Sequence, residues 1–313
     1  MAAELKNFYW ARPDRREVVE SSDFCCRILV SPYNRRITIC EFDLARDDGA
    51  VEMIRTLADR AAAEGLDKIW LKTGAGWERA LTDAGMRLEA TIPGYYRGEE
   101  PALVYAMYLS ARRQTPSNPA GADLIKKLVA GPGAGGEKRG LPAGITLQWG
   151  GAEHCQDLAG LYGRVYATYP FPVYDPDYVK YTIEHDVCYL TARYDGELVA
   201  AASAEINCPE KNAEMTDFAT LPEWRGRGLA GCLLARLESR HAKEGLRCFY
   251  TIARSGSVGM NKVFAGAGYT FHGVLLNNCD IGGGFEDMNV WSKLIGPAAA
   301  PDPDEPLLPC GYG

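Results

Sequence analysis

Arg225-Gly226-Arg227-Gly228-Leu229-Ala230 is the stretch on which the fold is decided. It follows a strand-like alternation, Ala213 to Thr220. From Gly228 the period turns helical, with Leu229, Leu233, Leu234 and Leu237 on one face and Gly245 as the stop. Glycines let a backbone approach a ligand closely, and the first N–H groups of a helix lack intrahelical partners. A strand, a Gly-rich turn and a helix start therefore make an anion cradle suited to a pyrophosphate, and Arg225 and Arg227 add positive charge.

Upstream, Ile145 to Trp149 reads as a strand, about Glu153 to Tyr169 as a helix and Asp177 to His185 as a short helix. Strands at Cys188 to Tyr194, Leu198 to Asn207 and Ala213 to Thr220, with turns at Asp195-Gly196 and Pro209 to Asn212, form an antiparallel meander. Downstream come a strand at Cys248 to Ala253, a helix at Ser257 to Ala267 and two last strands. The fold class is α/β with a mixed (α+β) sheet.

The N-terminal part echoes this pattern. Gly65-Leu66-Asp67-Lys68-Ile69-Trp70-Leu71 parallels Gly245-Leu246-Arg247-Cys248-Phe249-Tyr250-Thr251, and Ala84-Gly85-Met86 parallels Ala267-Gly268-Tyr269. Val104 to Leu109 likewise parallels Met288 to Lys293. An amphipathic helix precedes the first echo, with Val51, Ile54, Leu57 and Ala61 on one face and Asp47 or Asp48 as cap. It has no Gly-rich loop before it, so residues 1–111 read as a structural or dimerising relic, which leaves a homodimer open. Residues 112–144 are rich in Pro and Gly and read as a linker, with a short helix at Asp123 to Val129; 145–295 form the second domain and 296–313 a disordered tail. Gly136 is followed by Glu137-Lys138-Arg139, which excludes a P-loop.

The 313 residues carry a formal charge of −7, with 47% apolar and 24% charged content, enough for two globular domains. Such a chain has no general field for nucleic acid or an anionic membrane, and no apolar run is long enough to span one. Ten cysteines occur without a C-x-x-C, and Cys40, Cys188 and Cys248 sit in apolar runs, so buried free thiols in a reducing cytoplasm are expected. The four histidines form no metal-ligand pattern, and there is no G-x-S-x-G elbow.

The order of elements and the glycine turn resemble the GNAT acetyltransferase superfamily from Ile145 to Leu294. The segments Tyr169 to Pro176, Ala219 to Glu223, Tyr250 to Ser255, Met288 to Trp291 and Ile92-Pro93-Gly94-Tyr95-Tyr96 look like those of the β-lysine N-acetyltransferases. The resemblance implies acetyl-CoA as co-substrate and no metal. Its acceptor would be a small-molecule amine, the N6 amine of β-lysine, and its product a compatible solute for osmoadaptation. By the same resemblance Gly226, Gly228, Leu229 and Ala230, with the two arginines, bind the pyrophosphate. Phe218, Ala219 and Thr220 offer backbone groups to the pantetheine arm, and the strand carrying them bulges and splays from the next.

An alkylammonium has a pKa near 10.4, so a base must remove a proton before the nitrogen attacks. Glu214 stands at the offset from Arg225 where many GNAT enzymes carry a strand-borne base. Asp217 or Glu205 could hold a second ammonium, and a bulge could re-aim Asp217. The family's Tyr general acid falls at Phe264, leaving Tyr250 or Tyr269 as substitutes, or unassisted departure of the thiolate. Asn261 is a candidate contact to the cofactor arm. Arg254, Asn277 and Asn278 are candidates for the substrate carboxylate, and Tyr169 to Pro176 for a pocket wall. Rival readings are an acetyltransferase for a polyamine, an amino sugar or a protein N-terminus, and a non-catalytic acyl-CoA sensor or scaffold.

Overall fold

A computed structural model describes residues 13–46, 48–130 and 140–296, without the side chains of 122, 124, 126 and 130. Asp47, the glycine cluster 131–136 and residues 297–313 of the expected tail lie outside these residues. The first half contains β1 (Arg15–Glu20), β2 (Phe24–Ser31), β3 (Arg36–Leu44), α1 (Gly49–Ala63), β4 (Lys68–Thr73), α2 (Glu78–Asp83), β5 (Arg87–Tyr96) and β6 (Glu100–Tyr108). Two helices follow, α3 (Ala111–Gln114) and α4 (Pro119–Ala130). The second half contains β7 (Ile145–Trp149), α5 (Cys155–Val165), α6 (Pro176–Ile183), β8 (Val187–Tyr194), β9 (Glu197–Asn207) and β10 (Asn212–Thr220). It ends with α7 (Leu229–Lys243), β11 (Cys248–Arg254), α8 (Val258–Gly266), β12 (Thr270–Asp280) and β13 (Phe285–Leu294).

All strands join one 13-stranded sheet, ordered β1-β2-β3-β4-β6-β5-β12-β13-β11-β10-β9-β8-β7. Each half repeats the other, with β8-β9-β10-β11-β13-β12 matching β1-β2-β3-β4-β6-β5 and the copies meeting between β5 and β12. Each contains one parallel pair, β3 with β4 and β10 with β11, crossed over by α1 and α7 respectively. The helix ends repeat too. Gly65-Leu66, Gly85-Met86, Gly245-Leu246 and Gly268-Tyr269 each donate two N–H groups back into the last turn, with the glycine at positive φ. The echoed glycines in the sequence are these stops.

In α1 the buried face is Ala50, Met53, Ile54, Leu57 and Ala61, over the strands of the first half. Val51 is exposed, which corrects its place on that face, and Asp48 makes no side-chain cap bond but pairs with Arg46 at 3.0 Å. Cys40 is also exposed: the register shift between Arg27 and Ile28 makes it the extra residue of a bulge. Cys188 is half-buried and Cys248 buried. A second, larger apolar cluster runs from Trp70, Ile92 and Val104 across the joint to Tyr162, Leu233 and Trp291.

At the joint, β5 and β12 share a single paired position, Ala90 with Gly273. A Cβ at Gly273 would stand 2.3 Å from the Glu89 carbonyl oxygen, so only glycine allows the approach. A buried ionic knot does the rest. Lys68 Nζ donates to Glu89 Oε2 at 2.9 Å and to the Leu276 carbonyl at 2.9 Å, while Glu89 Oε1 accepts the Leu276 N–H at 2.7 Å and the Tyr108 hydroxyl. Burial pulls the Lys68 ammonium down to about 8 despite the Glu89 charge.

The segment read as a linker is described at 112–130 and 140–144, and its first part is tied to the body of the protein at several points. Arg113 is buried and ion-paired with Asp67 at 2.9 Å, and the N–H of Asn118 donates to Asp287 at 3.1 Å. Its Pro-rich composition records tight turns between short helices. Lys68→Met should cost about 3–5 kcal/mol of stability, because it leaves Glu89 buried without its counter-ion. Urea unfolding measures this, and a loss under about 1 kcal/mol would remove the knot from the joint.

Candidate active site

Strands β10 and β11 are paired only at Asn212–Cys248, Ala213–Phe249 and Glu214–Tyr250. Beyond Glu214 they part, although each stays bonded to its outer neighbour, β10 to β9 and β11 to β13. The cause is a bulge between Thr216 and Ala219, centred on Asp217 at φ 52°, which bends β10 away. The expected bulge is thus present, and it turns Asp217 into the gap. A cleft of about 1080 Å³ opens there, lined by Glu214, Thr216, Asp217 and Phe218 on one side and Thr251 to Arg254 on the other. That volume is at the upper end of ordinary small-molecule sites, about 300–1,000 Å³.

The glycine turn closes one end. Gly226 and Gly228 take φ 76° and 82°, and Gly228 caps α7 without a side chain, leaving the helix's leading N–H groups facing the cleft where Leu229, Ala230 and Gly231 line it. Arg225 lines it as well, and its Nε donates to the Thr220 carbonyl at 3.2 Å, tying the turn to β10.

Three carboxyls gather at the floor. Glu205 and Glu214 are direct cross-strand partners, and Asp217 lies beyond. Asp217 Oδ1 accepts the Tyr169 hydroxyl at 2.5 Å and Oδ2 the Ser203 hydroxyl at 2.7 Å. Burial raises all three above the usual carboxylate range, and the facing charge of Glu214 raises Glu205 further. The cation whose charge favours ionised Glu205 and Glu214 is Lys72 of β4. The first half also supplies Leu29, Arg36, Thr38 and Trp70 to the lining, so it is no mere relic.

Residues 155–269 match the model described as the acetyltransferase (GNAT) family. N-acetyltransferase YodP of Bacillus subtilis (strain 168) is 35% identical, covering 84% of this chain and 94% of its own. The Beta-lysine N(6)-acetyltransferase of Methanococcus maripaludis is 31% identical over 89% of this chain and 98% of its own. That of Methanosarcina mazei is 31% identical over 78% and 97%. The chain belongs to the acetyltransferase (GNAT) family.

This GNAT protein is accordingly an acetyl-CoA-dependent N-acetyltransferase, and its cleft fits the co-substrate. An uncapped helix start meets two left-handed glycines, and the space where a Gly226 Cβ would stand is open. Several expected contacts need correction. The Arg227 guanidinium stacks on Trp224 at 4.4 Å and lies outside the lining. Ala219 is also outside it, and the carbonyls of Phe218 and Thr220 already accept Tyr166 (2.5 Å) and Arg225.

Asn261 is wholly buried and committed: its amide donates to the Arg254 and Ser257 carbonyls and accepts from Asn289 and Trp291. Asn277 is buried on the Arg113 and Thr115 carbonyls, away from the cleft. Arg254 lines the cleft, but its fork holds Glu286. Tyr269 lies outside the lining, edge-on to Phe264 with centroids 5.2 Å apart. Tyr250 lies beneath the floor, its hydroxyl 3.2 Å from Lys72 Nζ. Asn278 does line the cleft, and its Oδ1 is buried without a partner.

Sequence reading missed Lys72, Tyr166 and the contribution of the first half. Tyr162, Tyr166 and Tyr169, at helical spacing, were a usable signal for the second.

Gly228→Val would place a β-branched residue in the left-handed region at the mouth of the cradle. Coenzyme A affinity should fall about tenfold or more by calorimetry, with the fold retained by circular dichroism. Unchanged affinity would refute the cradle.

Proposed function

We propose that the chain acetylates the N6 amine of β-lysine, with Glu214 as the base and the cradle from Arg225 to Ala230 as the pyrophosphate site. The observation that carries it is the set of carboxyls, buried Asp217, half-buried Glu214 and cleft-exposed Glu205, on the floor of a cleft whose mouth is an uncapped helix start. Two relatives matched over most of this chain are named for that acceptor.

A diamino acid brings two ammonium groups that need opposite treatment. One must lose its proton, and the other is best held charged. Acetyl-CoA, when bound, supplies the acyl carbon activated as a thioester. Glu214, which burial keeps poorly solvated, takes the proton from the N6 ammonium. Asp217, fixed by Tyr169 and Ser203, holds the second ammonium, and the orphaned Oδ1 of Asn278 accepts from an N–H on the substrate. Phe264 stands where the family's tyrosine would be, so no hydroxyl at that position delivers a proton to the departing sulfur. The product would serve as a compatible solute.

A panel of β-lysine, α-lysine, spermidine, glucosamine and an N-terminal alanine peptide, assayed by acetyl-CoA-dependent thiol release, tests the acceptor. β-Lysine should exceed every other amine in kcat/KM by about tenfold, with the acetyl group on N6 by NMR. A higher value for another amine would overturn the choice.

Glu214→Gln should lower kcat about 10²–10⁴-fold. The wild-type rate should rise with pH through the raised carboxyl range and then level. The variant's rate should instead keep climbing toward the amine's own pKa near 10.4. Wild-type kinetics would remove Glu214 from the mechanism.

A further inference from the structure

The N-terminal half reaches the cleft through β2, β3 and β4, and Lys72 is the cation that β4 delivers there, with Arg36 coming from β3. Its Nζ lies 3.2 Å from the Tyr250 hydroxyl and 5.1 Å from the ring centres of both Tyr95 and Tyr250. These contacts hold the ammonium at one point under the floor. The Tyr250 hydroxyl faces Glu214 as well, where it favours the charged carboxylate. Groups face Lys72 from each neighbouring element: Glu205 of β9, Glu214 of β10, Tyr250 of β11, Tyr95 of β5 and the Cys40 thiol of β3. Of these, Glu205 and Glu214 are the carboxyls, and they sit opposite each other across one strand pair.

Two carboxylates facing each other across a strand pair, one half-buried and one open to the cleft, repel, and a counter-charge eases ionisation of the second. A cross-strand Glu pair left alone would hold a proton and be a poor base near neutrality. We propose that Lys72 is a positioning residue for acetyl transfer, its ammonium keeping a negative charge on the Glu205–Glu214 pair so that the pair can accept the acceptor's proton. The first half of the chain is then part of the catalytic apparatus, although it has no cofactor cradle of its own. The step conserves charge: the proton leaves the substrate ammonium for the pair, the amine becomes neutral and nucleophilic, and Lys72 keeps its own proton throughout. Burial disfavours the Lys72 charge, but the surrounding tyrosine hydroxyls and glutamates outweigh it and raise its pKa.

The inference rests on Glu214 as the base, and the test separates the two. Profiles of kcat/KM against pH are measured for wild type, Lys72→Met, Lys72→Arg and Glu214→Gln, with coenzyme A affinity and thermal unfolding recorded for each. Removing a positive charge raises the carboxyl pKa values. The acidic limb of Lys72→Met should therefore move up by about 1–3 pH units, that of Lys72→Arg should stay near wild type, and coenzyme A binding should be unchanged in both. A Lys72→Met limb at the wild-type position, whatever the fall in kcat, overturns the role of Lys72 while leaving Glu214 as base. An unchanged limb in Glu214→Gln overturns the base and with it the coupling. If Lys72→Met does not fold, Lys72→Arg and Lys72→Gln carry the comparison, and a limb common to both overturns the proposal.

Discussion

The parting of β10 from β11 after Glu214 is the constraint on which everything else depends. A parallel pair that continued to Thr220 would satisfy its backbone groups and leave no cleft. The bulge at Asp217 stops this by consuming an extra residue in the left-handed region, at a cost of about 1–3 kcal/mol that the surrounding packing must offset. Tyr169 and Ser203 fix the bulged side chain, and Tyr166 fixes the next carbonyl, so the strain is held by three hydroxyls.

From that parting follow the floor and the mouth. Glu205 and Glu214 end up facing each other at the last point where the strands still touch, and desolvation and this crowding raise the pKa of Glu205. The same bend aims the end of β10 at the start of α7, where the glycine turn leaves N–H groups uncapped. One distorted strand thus sets both the acidic floor and the approach to the glycine turn.

The repeated half explains how an acidic floor is tolerated. Its sheet joins edge to edge through the Ala90–Gly273 contact and the Lys68–Glu89 knot, and it carries Lys72 and Trp70 under and beside the cleft. Duplication here yields one working site and a wall for it.

Much of this was legible in the sequence. The echoed Gly65-Leu66 and Gly245-Leu246 gave the repeat, because a glycine at a helix stop leaves a local mark. The glycine turn before α7 and the place of Glu214 in the cleft wall were legible because they lie in one short stretch. Lys72 was not, because its place near Glu214 depends on how the two halves of one sheet meet, and the two residues lie some 140 positions apart. Asn261, Asn277 and Arg254 misled because polar residues near a site look alike in sequence whether they face ligand or brace the backbone; here Trp291, Arg113 and Glu286 engage them. The Pro-rich composition of 112–144 suggested a free connector, yet Arg113 is buried on Asp67, a pairing visible only in three dimensions.

Amide hydrogen exchange with and without coenzyme A probes the splayed strand and the uncapped helix start together. The account predicts new protection confined to 216–220 and to the glycine turn with the start of α7, Arg225 to Gly231, with α1 unchanged. Protection elsewhere, or none in these two segments, would contradict it.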